Sequence, residues 1–260
     1  MSIVVPALNE AANLRVVLPE LPDEHEVVLV DGGSVDGTIE TATAVRPGIT
    51  VVRQTRRGKG NALACGFAAA TGDIIVMFDA DGSADPAEIP LFVEALVRGA
   101  DYAKGTRFHR SGEGGSSDIT LLRRLGNGGL NAAANVLFRT RFTDLCYGYN
   151  AFWRRILPLL DLPPVTIPGV APDDMVWGDG FEIETLLSCR AAAAGLTVAE
   201  VPSHEHPRLH GDTNLRTFVD GARVLRTIIA ERISASRRYG ARPGAVLRND
   251  DAPEVEGSAA

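Results

Sequence analysis

Short aliphatic runs, Ile3 to Val5, Val27 to Val30, Thr50 to Val52 and Ile74 to Phe78, alternate with longer Ala- and Leu-rich stretches in the N-terminal part of the chain. Each run is almost wholly apolar, as in strands covered on both faces. The stretches between them, Glu10 to Leu18, Gly37 to Val45, Gly60 to Ala70 and Pro86 to Arg98, read as helices. Strand–helix alternation predicts βαβ units with right-handed crossovers, hence an α/β fold whose mostly parallel central sheet carries helices on both faces.

After Thr106 the pattern loosens. Arg110 to Asp118 is rich in Gly, Ser and charge with no apolar period, and reads as a mobile loop that closes over a bound ligand. A helix is expected over Ile119 to Phe138, a strand around Gly148 to Phe152, a Pro-rich connection from Pro158 to Pro172, a helix over Gly180 to Ala194 and a strand over Thr197 to Val201. From Asn214 to Arg238 apolar residues recur at helical spacing among several Arg, predicting a C-terminal amphipathic helix; beyond Gly240 a flexible tail is expected. These boundaries divide the chain into a catalytic-sized domain over 1–213 (halves 1–107 and 108–213), a helix over 214–240 and a tail over 241–260.

Composition narrows the partners. A chain of 260 residues, 45% hydrophobic and 23% charged, can bury a full core. The net charge of −7 argues against a nucleic-acid partner, since tracking phosphates needs surplus Lys and Arg. Cys65, Cys146 and Cys189 form no CxxC pair, which suggests neither a disulfide framework nor a zinc site. No signal-peptide pattern and no apolar run long enough to span a bilayer is present. A cytoplasmic protein is expected, with any membrane association peripheral, at the inner face of the cell membrane.

The candidate chemistry collects at strand ends, where open α/β sheets bind ligands. The first strand ends in Pro6-Ala7-Leu8-Asn9-Glu10 and the second in Asp31-Gly32-Gly33-Ser34-Val35-Asp36-Gly37-Thr38. Both suit a nucleoside, and equally turns in which Asn9, Ser34 or Asp36 caps a helix. Arg56-Arg57-Gly58-Lys59-Gly60 could hold phosphate through backbone N–H groups and the Lys59 ammonium, or be a solvated basic turn. The most specific feature is Asp79-Ala80-Asp81 after Ile74 to Phe78. Two carboxylates so close repel unless a cation or proton joins them, and hard cations such as Mg²⁺ or Mn²⁺ share their shell with phosphates. A metal-bridged diphosphate is therefore expected on Asp79 and Asp81.

These motifs, in order with Gly105-Thr106-Arg107, resemble the signature of family 2 glycosyltransferases with the GT-A fold, closest to the dolichyl-phosphate mannose synthase and polyprenyl-phosphate glycosyltransferase branch. The resemblance covers residues 1 to about 235. It implies a nucleotide-sugar donor, GDP- or UDP-linked, held by Pro6, Asn9, Glu10, Asp31, Lys59, Asp79, Ala80, Asp81 and Arg208, with metal on Asp79 and Asp81. It implies catalytic roles for Asp79, Asp81, Arg107 and, where the acceptor is a hydroxyl, Asp179 as base. Thr143 to Tyr149 resembles the family's acceptor segment. Arg208 to Asn214 resembles its Arg-x-x-Gly-x-Ser segment, with Thr213 in place of Ser and Asn214 at a frequent Lys position.

Inverting transfer of a hexose to a polyprenyl phosphate is the expected reaction; a saccharide or small-molecule hydroxyl is the alternative acceptor. Asp144, Asp179, Glu182 and Glu184 are all candidate bases, and one of His204, His206 and His210 is a candidate further metal ligand. The C-terminal basic helix suits an anionic lipid surface and equally a helix packed on the domain. A sugar-1-phosphate nucleotidyltransferase would need a Gly-rich basic loop where Pro6-Ala7-Leu8-Asn9-Glu10 stands, and a non-catalytic sugar-nucleotide-binding protein would have no need of both Asp79 and Asp81.

Overall fold

In the computed structural model of the chain, residues 1–117, 119–167, 175–211 and 217–240 are described, with side chains omitted for 217–220. The strands are β1 (Ser2–Ala7), β2 (Glu26–Asp31), β3 (Thr50–Arg53), β4 (Ile74–Met77), β5 (Tyr102–Thr106), β6 (Gly115–Ser116), β7 (Asn150–Trp153), β8 (Val198–Pro202) and β9 (His204–Glu205). The helices are α1 (Ala11–Glu20), α2 (Thr38–Val45), α3 (Lys59–Ala69), α4 (Ile89–Val97), α5 (Leu121–Phe138), α6 (Leu157–Leu160), α7 (Ile183–Ala193) and α8 (Thr217–Tyr239). Seven strands form one sheet in the order β3-β2-β1-β4-β7-β5-β8, parallel except for β7, which runs antiparallel to both neighbours. The expected halves 1–107 and 108–213 therefore share a sheet, with β7 inserted between β4 and β5.

The apolar runs are explained by two cores. Val4, Val28, Val30 and Met77 join α3, α5, α7 and α8 through Leu63, Phe138, Leu186 and Ile228. Ile3, Val5, Leu29 and Val76 join α1 and α4 through Leu14, Leu18, Phe92 and Leu96. Successive residues of β1 thus serve opposite cores, and Ile3, Val4 and Val5 are fully buried. Burial of each such side chain contributes roughly 1.5–3 kcal/mol.

The chain leaves β1 toward β2 and β3, then returns to β4 on the other side, so the order reverses between β1 and β4 and a crevice opens at their carboxyl ends. The β1–β4 ladder runs only from Ser2 to Val4, and Pro6, which lacks an N–H, lies beyond it.

Strand β5 is absent from the hydrophobic pattern because Tyr-Ala-Lys-Gly-Thr carries a buried charge and a glycine. Lys104 is fully buried, and its Nζ donates to Tyr147 O at 3.0 Å and Asn150 Oδ1 at 3.4 Å. Burial pushes its pKa down. At Gly105 a Cβ would lie 2.4 Å from Tyr149 O, so the glycine is what lets β7 approach.

Part of the segment expected to be a mobile lid is paired with another strand. Gly115 N donates to Ser203 O and Ser117 N to Glu205 O, both at 3.1 Å, making the β6–β9 ladder. Ser116 Oγ also donates to Glu205 Oε2 at 2.5 Å. Backbone pairing, invisible to composition, ties residues 115–117 of this stretch to β9; Asp118 lies outside the described residues, as do 168–172 of the Pro-rich connection, 214–216 of the expected C-terminal helix and the 241–260 tail.

Helix α8 is held to the domain by a buried ion pair. Glu231 accepts from Arg190 Nε at 2.9 Å, Trp177 Nε1 at 2.8 Å and Arg238 at 2.7 Å. Burial alone would raise this carboxyl, but bonding to Arg190, with Trp177 and Arg238, outweighs it and holds it low. A depressed carboxyl contributes stability above its unfolded pKa that is lost as pH falls through the folded value. Glu231→Gln is expected to cost about 3 kcal/mol at neutral pH, because Arg190 is left buried without its partner. In urea unfolding the gap from the parent should narrow as pH drops below about 4.

Candidate active site

Beyond β1 the chain turns at Asn9, whose φ of 58° is left-handed, a conformation Asn tolerates better than most residues. Asn9 Oδ1 accepts from Val35 N at 2.9 Å, and Asn9 N donates to Ser34 Oγ at 2.8 Å. Asp36 caps helix α1 from across the crevice, accepting from Ala11 N at 3.0 Å, and also accepts from Thr38 N at 3.0 Å. Asp31, at the end of β2 and buried, accepts from Gly33 N at 3.0 Å and Ser34 N at 3.1 Å. The capping seen as an alternative in the sequence thus exists, with Asp36 bonded to the first residue of both α1 and α2. These bonds lock both strand-end turns together at the crevice mouth.

The glycines of Gly58-Lys59-Gly60 serve packing. A Cβ on Gly58 would lie 2.1 Å from Asp179 O, and one on Gly60 1.9 Å from Gly178 O. Gly60 N and Asn61 N both donate to Asp179 O, at 2.7 and 3.2 Å. Two of the backbone N–H groups in the turn expected to receive phosphate, those of Gly60 and Asn61, are therefore occupied by Asp179 O, while the Lys59 ammonium faces the crevice. Lys59 Nζ lies 2.7 Å from Asp79 Oδ1 and 2.8 Å from Glu184 Oε1. Burial works against its charge, but Asp79 and Glu184 overcome this and raise its pKa.

Strand β4 delivers Asp79 and Asp81 to this point, while Ala80 between them turns its methyl into the α1–α4 core. Asp81 Oδ1 accepts from Ser83 N at 3.0 Å, and Oδ2 faces Arg208 Nη1 at 3.3 Å. Arg208 Nη2 also donates to Glu10 at 2.6 Å, and Asn13 Nδ2 donates to Glu10 Oε2 at 2.5 Å. Arg208 thereby ties the expected nucleoside end, Glu10, to the expected metal end, Asp81. Burial pushes the Asp79 carboxyl up, and repulsion from Asp81 and Glu184 adds to it against the pull of Lys59. Gly148 forms the adjoining wall: a Cβ there would lie 3.2 Å from Asp79 Oδ2 and 3.3 Å from Glu184 Oε1 and Lys59 Nζ.

The other expected groups are tied up. Arg107 makes a two-point ion pair with buried Asp144, at 2.6 and 3.0 Å, and reaches Glu205 at 2.9 Å. Asp179 is buried, and its carboxylate accepts from Arg56 Nε at 2.7 Å, Arg56 Nη2 at 2.9 Å and Val176 N at 2.9 Å. It braces the loop beside Lys59 and has no oxygen left open as a base. Glu182 Oε1 accepts from Gly178 N and Gly180 N, while its buried Oε2 faces Arg223 Nε at 4.0 Å. Arg56 and Glu184 were the groups hardest to find: Arg56 reads as a surface turn residue, and Glu184 differs from its acidic neighbours only in pointing at Lys59.

The model of the glycosyl transferase family 2 domain matches residues 2–158. Glycosyltransferase AglJ of Haloferax volcanii is 33% identical over 227 residues, covering 84% of this chain and 67% of that protein. The chain belongs to glycosyltransferase family 2. An undecaprenyl-phosphate mannosyltransferase of Micrococcus luteus is 29% identical over 232 residues, covering 85% of this chain and 90% of that protein. Among solved structures, glucosyl-3-phosphoglycerate synthase of Mycobacterium tuberculosis, in complex with Mn²⁺, UDP-glucose and phosphoglyceric acid, superposes with a TM-score of 0.64 at 25% identity, covering 90% of this chain and 78% of that one. This places the sheet and its helices in the GT-A fold.

The donor set of this transferase fits a hard divalent cation. Asp79 and Asp81 offer carboxylate oxygens only, and a cation there would relieve the repulsion of Asp79 by Asp81 and Glu184. Among the described residues no cluster of three His, Cys, Asp or Glu could hold a metal unaided, so phosphate and water would complete the shell. His204 is engaged with Ser117 Oγ at 3.1 Å and packs on the His206 ring at 5.0 Å, and His210 uses its carbonyl on Asn13 and Arg208. Asp212, Thr213 and Asn214 lie outside the described residues.

Gly60→Ala is expected to lower stability by about 2–4 kcal/mol, since its methyl meets backbone. Gly126→Ala in α5, with nothing within 4 Å, should gain up to about 1 kcal/mol from helix propensity. Thermal unfolding of the two variants checks the contrast.

Proposed function

We propose that this family 2 transferase moves a hexose, with inversion, from a GDP-mannose- or UDP-glucose-type donor to the phosphate of a polyprenyl acceptor. The observation that supports it most is the Asp79 and Asp81 pair at the end of β4, each held against a cationic side chain, Lys59 and Arg208. Asp79 and Asp81 would hold Mg²⁺ or Mn²⁺, which supplies charge stabilisation to a departing nucleoside diphosphate. Lys59 and Arg208 add preorganised positive charge where that diphosphate develops negative charge. Pro6, Asn9, Glu10 and Asp31 line the strand ends that would take the nucleoside.

The state of the candidate bases supports this acceptor class. Asp144 is held by Arg107, Asp179 by Arg56, Glu184 by Lys59, and Glu182 by two backbone N–H groups. A hydroxyl acceptor needs a carboxylate to take its proton. A phosphate monoester arrives as an anion: its oxygen attacks the anomeric carbon, the bond from that carbon to the diphosphate oxygen breaks, and no proton has to be removed. Asp144 and Asp179 are bonded on both oxygens, which favours the acceptor that needs no base. Among the described residues no helix is long and apolar enough to cross a membrane, which fits a cytoplasmic protein meeting its lipid acceptor peripherally.

A second reading is favoured by the solved structure holding phosphoglyceric acid: transfer to a small phosphorylated acid. The assay is to incubate the protein and Mn²⁺ with GDP-mannose or UDP-glucose, offering a polyprenyl phosphate or 3-phosphoglycerate. Labelled sugar entering the organic phase from one donor is expected. Asp81→Asn should lower that rate by about 10²- to 10³-fold at unchanged thermal stability. Transfer only to the soluble acid would favour the second reading, and no transfer to either would sink both.

A further inference from the structure

Helix α5 buries polar residues on part of its inner face and exposes aliphatic ones. Its buried face carries Asn127 and Asn131, whose amides donate to Asp144 Oδ1 at 2.8 Å and Thr143 O at 2.5 Å, together with Ala134 and Phe138. Its outward face shows Leu121, Leu125 and Val136. A helix with a solvated outer face ordinarily carries polar residues there. Helix α8 packs beside it, with Arg232 Nε bonded to Leu137 O at 2.8 Å, and adds outward Leu225, Ile229 and Ile233. These six aliphatic side chains are between 42 and 78% exposed on adjoining helices.

The charge on this face has one sign. Helix α5 contains no Asp or Glu, and the sole carboxylate among the described side chains of α8, Glu231, is buried against Arg190. The exposed charged residues are Arg124, Arg226, Arg232 and Arg237, on a chain whose net charge is −7. An apolar stripe rimmed by arginines complements anionic headgroups above an acyl layer, with the arginine stems lying along the apolar surface. A second copy fits less well, since a two-fold contact would set these arginines against one another.

The face also leads to the site. The Arg124 guanidinium lies 5.6 Å from the Phe108 ring centre and that of Arg107 5.7 Å from it, while Asn127 and Arg107 share Asp144. We propose that the α5–α8 face seats the protein on an anionic lipid surface, with the first turns of α5 adjoining the Arg107 wall of the active site. Its use in catalysis rests on the lipid-phosphate reading; the binding itself does not.

The test is vesicle co-sedimentation of the full chain without donor or acceptor, comparing phosphatidylcholine vesicles with vesicles containing phosphatidylglycerol. Binding to the anionic vesicles at least about tenfold stronger is expected, falling as salt is raised. The triple variant Leu125→Ser, Ile229→Ser, Ile233→Ser should lose about tenfold or more. Should it unfold, Leu125→Ser alone, with the charge variant Arg226→Ala, Arg237→Ala, takes its place. No preference for anionic vesicles, equal binding by the variants, or a stable dimer that the triple variant dissociates would each overturn the proposal. Donor binding by calorimetry on the same samples reads the transferase reading separately, so a protein that binds nucleotide but not lipid refutes only the seating.

Discussion

Excess negative charge at the carboxyl edge of β4 is the constraint around which the site is arranged. Glu10, Asp79, Asp81 and Glu184 converge there on two cationic side chains, Lys59 and Arg208. Burial raises the Asp79 carboxyl, with repulsion from Asp81 and Glu184 adding to it, and Asp79 and Glu184 keep Lys59 charged despite burial. Such a balance is unstable toward a further cation, and a cation bound there still needs oxygen ligands that these carboxylates do not supply alone. A diphosphate supplies them. On the proposed reading, metal and donor would be coupled through electrostatics before any contact to base or sugar is considered.

The surrounding structure holds this arrangement still. Glycines at 58 and 60 let the 178–180 backbone close on the Lys59 turn, and the Arg56–Asp179 pair locks that closure. On the opposite wall the Arg107 guanidinium is gripped by Asp144 and Glu205 and lies over Tyr147, with its ring centre at 4.9 Å. The β6–β9 ladder fixes the chain beyond it. These pairs stiffen the walls and leave the Lys59 and Arg208 contacts as the ones a ligand can exchange.

Much of this was legible in the sequence. The four apolar strands were visible because both faces of the sheet are buried, and Asp79-Ala80-Asp81 was visible because nothing but a strand end explains two acids after five apolar residues. Strand β5 was hidden because Lys104 satisfies its charge through β7, a partner distant in the chain. The β6–β9 ladder was hidden because backbone pairing leaves no compositional trace. Asp179 and Glu184 look alike in the sequence; only the fold reveals that one is neutralised by Arg56 and the other points at Lys59. The burial of Asn127 and Asn131 on the inner face of α5 is likewise visible only in the fold.

Titration calorimetry of Mn²⁺ into the protein, alone and with saturating UDP or GDP, tests the coupling directly. If Asp79 and Asp81 bind metal only as part of a metal–diphosphate unit, Mn²⁺ alone should bind weakly and one nucleotide should tighten it at least about tenfold, with the metal tightening that nucleotide by the same factor. Equal Mn²⁺ affinity with and without either nucleotide would contradict it.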